Sequence, residues 1–383
     1  MGLTDCRARD ITFAIPLQSL YMSNHRMGGH SARAHDPVFV RKPVTRTLMF
    51  KEAAQSGSVV AAQAMRSKDM LALFAASIAG SPPSIYLTCA RGSSDHAATF
   101  MRYLLEIEAG VVTSSFSPSV FSVYGRAPAI GSGVCVVISQ SGRSPDLLAV
   151  AQQYRDQGSR VLAIVNDLES PLAQIADFVF PIGAGPEASV AATKSFIGTL
   201  SAILQIVACH PGTAVNPQDI LELPNLLDLA WEQDWSALTK AISASRGLFV
   251  IGRGLGFAAA SEAALKMKET SGLHAEAFSA AEVRHGPMAL LATGMPVLIF
   301  RQNDKAARSL DEFASFAAAQ GNQVFVVGAE VAGTTCLPCP AAASFLEPIV
   351  QIQAFYRAAN ELSVARGRNP DAPPMLRKVT QTL

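Results

Sequence analysis

The chain has 383 residues, of which 49% are hydrophobic and 16% charged, and its formal net charge at pH 7 is +1. This length predicts about two domains with buried cores, and the balanced charge, without aromatic residues among the basic ones, excludes a typical nucleic-acid-binding protein. No apolar run is long enough to span a membrane, and residues 1–30 do not resemble a signal peptide. Six scattered cysteines favour a reduced, cytoplasmic protein.

The first half of the chain predicts alternating strands and helices. Residues 1–48 are rich in Arg, His, Ser and Pro without sustained periodicity, and we expect them to form an N-terminal tail. Helical patterning begins at Met49 and continues to about 78. The predicted strands are 84–89, 134–138, 160–165 and 178–181, and the predicted helices are 95–109, 145–157, 171–176 and 188–209. Such alternation is typical of an α/β fold with a parallel sheet.

The second half repeats the first. The run Leu248–Gly254 resembles Ile85–Gly92, and the run Val297–Asn303 resembles the segment 136–141. The glycine at 92 and the glutamine at 140 are 48 residues apart, as are those at 254 and 302. Two shared features at one spacing predict a tandem duplication of one α/β unit.

Prolines between 211 and 225 mark the expected boundary between the repeats. We therefore predict a first domain over 49–215, a second over 216–365, and a C-terminal tail over 366–383 that closes the active site.

A hydroxyl-rich loop follows the strand at 134–138 and precedes a helix. Small hydroxyl residues and a glycine at a helix start can bind a phosphate through backbone N–H groups and the helix dipole. The loop has no lysine and is not a Walker-type nucleotide loop; the alternative is an ordinary turn. Its residues are Ser139, Gln140, Ser141, Gly142, Arg143 and Ser144. Because the second copy, Arg301 to Asp304, lacks the hydroxyls, we expect phosphate binding in the first half only.

A titratable cluster in the second half supplies candidate acids and bases. Glu262, Lys266 and Glu269 share one face of a predicted helix in apolar surroundings. The alternative is a surface ion pair. Four further residues follow within 16 positions: His274, Glu276, Glu282 and His285. A carboxylate and an imidazole are suited to moving a proton next to a carbonyl. The single CxxC, Cys336 and Cys339, is interpreted as packing or chance, so no metal site is predicted.

Six segments resemble sugar isomerase (SIS) domains. The resemblance is narrower to the tandem-SIS isomerase part of glucosamine-6-phosphate synthases (glutamine–fructose-6-phosphate aminotransferases) and covers about residues 49–383. It implies two tandem doubly wound, flavodoxin-like sheets and no cofactor. The matching segments are Gly92–Ser94, Ser139–Ser144, Val190–Lys194, Lys266–Glu269, Glu282–Pro287 and Asp371–Lys378.

The resemblance also implies roles. The residues expected to hold the sugar phosphate and neighbouring hydroxyls are Ser93, Ser94, Ser139, Gln140, Ser141 and Ser144, with Ala191 and Thr193 lining the sugar site. Glu269 would carry a proton between C1 and C2, and Lys266 would position and polarise it. His285 would assist ring opening from the neighbouring subunit, which implies a homodimer with shared sites. Lys378 matches a lysine that forms a Schiff base with a keto sugar, although the alignment shifts by one residue after it.

Two departures from the synthases decide the expected activity. The segment before the first domain is too short for a glutaminase domain, so glutamine is not the expected nitrogen donor. Arg91 and Arg143 resemble stand-alone SIS glucosamine-6-phosphate deaminases. We therefore predict conversion of glucosamine 6-phosphate to fructose 6-phosphate and ammonia. The alternatives are a ketose/aldose phosphosugar isomerase, the amination reaction with free ammonia, and a sugar-phosphate sensor without catalysis.

Overall fold

The computed structural model describes residues 47–378. Almost all of the predicted N-terminal tail and the last five residues of the C-terminal tail lie outside this range. Within it, no helix combines the length and the apolar character needed to cross a bilayer.

Within residues 47–378, ten strands form two parallel sheets. The first sheet contains β1 (Tyr86–Cys89), β2 (Thr113–Ser115), β3 (Val134–Ser139), β4 (Arg160–Val165) and β5 (Phe178–Pro181). The second contains β6 (Gly247–Gly252), β7 (His274–Ser279), β8 (Val297–Ile299), β9 (Val324–Val327) and β10 (Thr335–Leu337).

The two sheets have the same strand order. The first runs β2-β1-β3-β4-β5, and the second, read in the corresponding direction, runs β7-β6-β8-β9-β10. Equivalent registers pair Leu87 with Cys135 in the first sheet and Phe249 with Val297 in the second. This is the flavodoxin-like order of a doubly wound sheet, and it confirms the predicted fold class and the tandem duplication.

Helices cover both faces of each sheet. Those of the first half are α1 (Leu48–Ala53), α2 (Ser56–Gly80), α3 (Ser93–Leu104), which continues as a π-helical turn (Leu105–Ala109), α4 (Ser119–Ser122), α5 (Pro145–Asp156), α6 (Pro171–Ile175) and α7 (Lys194–Ala208). Those that follow are α8 (Pro217–Ile220), α9 (Leu223–Trp231), α10 (Ser236–Ile242), α11 (Gly256–Ser271), two 3₁₀ turns (Glu282–His285 and Pro287–Thr293), α12 (Ala307–Ala319) and α13 (Glu347–Ala365).

One large apolar core joins the two halves. It combines residues from the inner faces of both sheets with α2, α3, α7, α11 and α13, and includes Phe180 and Phe355. Two smaller cores lie under α5 on the first sheet and under α12 on the second. The inner helices of one repeat therefore pack against those of the other, which places α11 beside α3.

Two predicted helices differ from the observed ones. The helix expected over 49–78 is two helices, α1 and α2, and the helix expected over 188–209 begins only at Lys194. The reason for the later start lies in Glu52, whose two carboxylate oxygens accept the backbone N–H groups of Ala188 and Ser189 at 2.6 and 3.0 Å. These donors are satisfied by a side chain, so the segment before Lys194 remains irregular.

Candidate active site

A cavity of about 330 Å³ opens at the carboxyl edge of the first sheet. Five separated parts of the chain form its walls: the turn after β1 with the start of α3, the β3–α5 loop with the first turn of α5, the segment before α7, one residue of α11 and the C-terminal segment. Doubly wound sheets bind ligands at this edge, where neighbouring strands send their helices to opposite faces. The residues that line it are Arg91, Gly92, Ser94, Ile138, Ser139, Gln140, Ser141, Ser144, Leu147, Val190, Glu269, Leu376, Arg377 and Lys378.

The β3–α5 loop turns its polar residues toward this cavity. Its lining members are Ser139, Gln140, Ser141 and Ser144. Gly142 makes the turn with a φ of 62°, and a Cβ there would overlap the Ser170 side chain. The Gly142 N–H donates to Ser139 Oγ at 3.1 Å. Because α5 begins directly after the loop, the hydroxyls and the N–H groups of the loop lie at the start of a helix, where an anion is favoured.

The two arginines of this region are already paired with carboxylates. Arg91 donates through two nitrogens to Asp146 Oδ2, at 3.0 and 2.8 Å, and the Asp146 side chain is fully buried. Arg143 donates to Asp167 at 2.8 Å on the surface, and this hydrogen bond lowers the pKa of Asp167. The anion-binding groups of the loop are therefore its hydroxyls and N–H groups rather than unpaired cations.

The carboxylate at the cavity comes from α11. Glu262, Lys266 and Glu269 lie on one face of this helix, as the sequence predicts. Lys266 is buried, and its Nζ donates to Glu269 Oε2 at 2.5 Å and lies 3.3 Å from Glu262 Oε1. Glu269 is partly exposed and reaches the cavity, whereas Glu262 is fully buried. The buried Lys266 thus holds the accessible carboxylate of Glu269 in place. Because Lys266 and Glu262 are both buried, the cluster is not a surface ion pair.

A second set of contacts ties this helix to the first half of the chain. Glu262 accepts hydrogen bonds from Ser93 Oγ of α3 at 3.1 Å and from the Tyr356 hydroxyl of α13 at 3.2 Å. His96 Nδ1, also on α3, lies 3.0 Å from Glu262 Oε2, and Lys266 Nζ donates to Ser93 Oγ at 3.1 Å. The four partners converge on one buried carboxylate.

The charges of this buried cluster stabilise one another. Burial by itself raises the pKa of Glu262, but Lys266 and the hydrogen bonds from His96 and Ser93 outweigh it and lower that pKa. Burial likewise opposes the charge of Lys266, and the two glutamates outweigh it and raise the lysine pKa. Both groups are therefore ionised at neutral pH, with Lys266 positioned as a fixed cation beside Glu269.

Glu187, a residue that the sequence did not indicate, binds the cavity-lining Lys378. Its buried carboxylate accepts from Thr193 N at 2.9 Å, from Ser195 Oγ at 2.6 Å and from Lys378 Nζ at 3.1 Å. Lys378 also donates to Ser189 O at 2.7 Å. Burial alone raises the pKa of Glu187, but Lys378 and these hydrogen bonds outweigh it and lower it. Glu187 therefore anchors both the irregular segment before α7 and the C-terminal lysine.

The structure brings most of the predicted site residues to this cavity. Among the eight residues expected to bind the sugar phosphate, three do not line it. Ser93 faces the Glu262 cluster, while its neighbour Ser94 lines the cavity. Ala191 and Thr193 belong to the same segment as Val190, which lines the cavity, but both are buried. The Thr193 N–H donates to Glu187.

His285 lies apart from this set. It is exposed at the end of a 3₁₀ turn and is absent from the lining of the cavity in its own chain. His274 and Glu276, which the sequence analysis grouped with Glu269, lie on exposed positions of the edge strand β7. Their alternation with the buried Ala275 is the pattern of a half-buried strand, so their grouping with Glu269 was wrong.

The described residues offer no clear metal ligands. Across residues 47–378, no three His, Cys, Asp or Glu side chains are grouped as a metal site requires. Cys336 and Cys339 both carry free thiols, and burial raises the pKa of Cys339 to about 12.

Comparisons with known proteins agree with this geometry. Over 304 residues, or 76% of the chain, the sequence is 32% identical to the isomerizing glutamine–fructose-6-phosphate aminotransferase of Thermococcus kodakarensis, of which the match covers 50%. The chain thus spans about half the length of the curated relatives it matches.

Solved structures share the fold. A proposed phosphosugar isomerase from Silicibacter pomeroyi DSS-3 superposes with a TM-score of 0.81 at 36% identity, covering 85% of this chain and all of that one. The glucosamine-6-phosphate deaminase of Thermotoga maritima has a TM-score of 0.70 at 19% identity, covering 88% and 100%. Residues 81–208 and 241–336, more than half of the chain, match the family model of the SIS domain. The chain therefore belongs to the SIS domain family, with two copies of that domain.

Proposed function

We propose that this protein is a phosphosugar isomerase that releases ammonia, converting glucosamine 6-phosphate to fructose 6-phosphate. The observation that carries the proposal is that one cavity contains both the hydroxyl loop at 139–144 and the carboxylate of Glu269. The names of the similar aminotransferase and of the similar phosphosugar isomerase support the same class of substrate.

The loop accounts for substrate binding. A phosphate monoester at 139–144 accepts hydrogen bonds from the hydroxyls and the N–H groups of the loop, at the start of α5. Phosphate binding at the loop places the C1 and C2 end of the sugar within the same small cavity, toward Glu269. An ammonium group at C2 is compatible with that carboxylate, because an ionised donor and acceptor form a strong hydrogen bond.

Glu269 acts as the base of the proposed reaction. In the open-chain aldehyde, it removes the C2 proton; the C–H electrons form the C1–C2 double bond, and the C1 carbonyl oxygen takes up a proton given up by the C2 ammonium group, which yields an enolamine. Glu269 then returns its proton to C1 while the nitrogen lone pair forms the C2–N double bond and the nitrogen loses a proton to water, which leaves a primary alcohol at C1 and an imine at C2. Water adds to the imine carbon and ammonia leaves, which gives the C2 ketone of fructose 6-phosphate. Lys266 contacts Glu269 and orients its carboxylate between C1 and C2.

Two other residues have proposed roles at this site. Lys378 lies at the cavity with its charge balanced by Glu187 and can contact the sugar oxygens near C1 and C2. His285 opens the sugar ring in the active site of a second copy of the chain. The exposure of His285 in its own chain supports a homodimer with shared sites.

The test measures both products from glucosamine 6-phosphate, with ammonia followed by glutamate dehydrogenase and ketose followed separately. We expect both in equal amounts, and we expect Glu269→Gln to reduce turnover by at least about a thousandfold while substrate still binds. Glu276→Gln is the matched control, because this glutamate is exposed on β7.

The other outcomes distinguish the remaining functions. Ketose from an aldose phosphate without ammonia from the amino sugar identifies a plain isomerase. Amino sugar made from fructose 6-phosphate and ammonia many times faster than ammonia is released from glucosamine 6-phosphate, at equal substrate, identifies the amination reaction. Binding without turnover of any of these identifies a sensor. Each of these results overturns the proposed deamination.

A further inference from the structure

The duplication gives the second sheet its own ligand-binding edge. Residues 91 and 253, 140 and 302, and 146 and 308 occupy equivalent places, each pair 162 positions apart. The strands agree with this correspondence, because β6 and β8 adjoin at the centre of the second sheet as β1 and β3 do in the first. The carboxyl ends of β6 and β8 therefore form a second edge of the type at which doubly wound sheets bind ligands.

A cavity is present at that edge. It has a volume of about 1060 Å³ and is lined at the sheet by three cationic side chains and two carboxylates, with Gly254: Arg253, Lys305, Arg308, Asp304 and Glu312. Arg253, Gly254, Lys305 and Arg308 are the equivalents of positions 91, 92, 143 and 146, which surround the loop of the first half. The duplicated fold has therefore kept an open cavity here, although the loop sequence has changed.

The change in sequence reverses the charge at one decisive position. In the first half, Asp146 is buried and neutralises Arg91. Its equivalent in the second half is Arg308, so two arginines, Arg253 and Arg308, replace one ion pair. Among the ion pairs of residues 47–378, none involves Arg253, and the pair of Arg308 with Glu312 is on the surface, with the arginine side chain 90% exposed. Such a pair is weak and easily exchanged for a ligand.

The hydroxyl mode of binding is lost in this copy. Gln302, the equivalent of Gln140, is fully buried and accepts the N–H of Gly256 at 3.2 Å. Its amide nitrogen donates to Phe300 O at 3.1 Å. Because Gln302 is committed to the start of α11, the recognition of an anion here depends on cationic side chains.

The opposite wall of the cavity is acidic. Glu106 and Glu108, from the π-helical turn after α3, face the cavity together with Tyr103. Glu106 also accepts the N–H of Thr113 at 3.3 Å. A ligand that matches both walls has an anionic end and an end that donates hydrogen bonds.

We propose that this second cavity binds a phosphate monoester of a small polyhydroxylated or amino compound. Arg253, Lys305 and Arg308 bind the phosphate, with guanidinium groups suited to bidentate contacts. The hydroxyl or ammonium groups of the ligand face Glu106 and Glu108. The chain then binds two phosphorylated molecules, one in each repeat, by different chemistry.

The test counts binding sites by calorimetry. Glucosamine 6-phosphate is titrated into the Glu269→Gln chain, so that turnover does not interfere. We expect two equivalents per chain, and we expect Arg308→Asp, which restores the residue type of the first half, to weaken one of them by at least about tenfold. Arg253→Gln should weaken the same site. The matched control is Arg246→Asp, an exposed residue just before the other end of β6.

The outcomes separate this proposal from the proposed function. Two equivalents, of which Arg308→Asp removes one, support the second site even if the parent chain has no deaminase activity. A single equivalent that Arg308→Asp and Arg253→Gln leave unchanged overturns it even if the parent chain is an active deaminase. Equal loss with Arg246→Asp also overturns it, because the effect is then one of overall charge. Circular dichroism establishes that each variant is folded.

Discussion

Replacement of Lys266 by Met tests whether the buried cluster is held by charge. The side chains of Lys266 and Glu262 are 1% and 0% exposed, so the variant leaves Glu262 as a buried carboxylate without its main cation. Removing one partner of a buried ion pair costs about 3–5 kcal/mol of unfolding free energy. We expect a loss in that range, and recovery of most of it in the double variant Lys266→Met with Glu262→Gln.

The pH dependence supplies a second measure of the same effect. In the parent chain the pKa of Glu262 is lowered, so its contribution to stability is present above its unfolded pKa and lost as pH falls. The pKa of Lys266 is raised, so its contribution is present below its unfolded pKa and lost as pH rises through the folded pKa. Without Lys266, burial raises the pKa of Glu262. The variant should therefore be more destabilised relative to the parent at pH 8 than at pH 4.

Urea unfolding followed by circular dichroism measures these differences. Lys268→Met is the control, because Lys268 is exposed on the same helix and should change stability by less than about 0.5 kcal/mol. The reasoning is refuted if Lys266→Met costs no more than this control, or if the double variant is less stable than the single one.

Three other predictions concern the cavity. Gly142→Ala should weaken phosphosugar binding at least about tenfold by fluorescence titration, because the φ of 62° and the Ser170 side chain leave no room for a Cβ; unchanged affinity would contradict the loop assignment. Glu187→Gln should raise KM with a smaller effect on kcat, because Lys378 loses its charged partner; an effect on kcat alone would contradict a positioning role. Mixed Glu269→Gln and His285→Asn chains should regain about a quarter of parent activity, since half of random dimers have one intact site; no recovery in confirmed mixed dimers would contradict shared sites.

Short-range sequence patterns predicted those parts of the site whose residues lie close together in the chain. The loop at 139–144 and the helical spacing of Glu262, Lys266 and Glu269 are short-range patterns, and the structure places both as predicted. The tandem duplication could also be predicted, because strand and loop residues recur with the same spacing in both halves. These features determine the fold class and the location of the cavity.

Contacts between distant residues could not be predicted in this way. His96 contacts Glu262 across 166 positions, and Lys378 contacts Glu187 across 191. No periodicity links such pairs, and Glu187 stands among glycine, proline and alanine, where it resembles a loop residue. Only the packing of α3 against α11 and of the C-terminal segment against the segment before α7 reveals them.

The proposed role of Glu269 is to move a proton between C1 and C2 of a phosphorylated sugar. The most direct measurement is mass spectrometry and NMR of fructose 6-phosphate made from glucosamine 6-phosphate in D₂O. We expect deuterium at C1 when the base exchanges with solvent, formation of the ketose by Glu276→Gln at the parent rate, and no detectable ketose from Glu269→Gln. Ketose formation by Glu269→Gln at the parent rate would contradict this role.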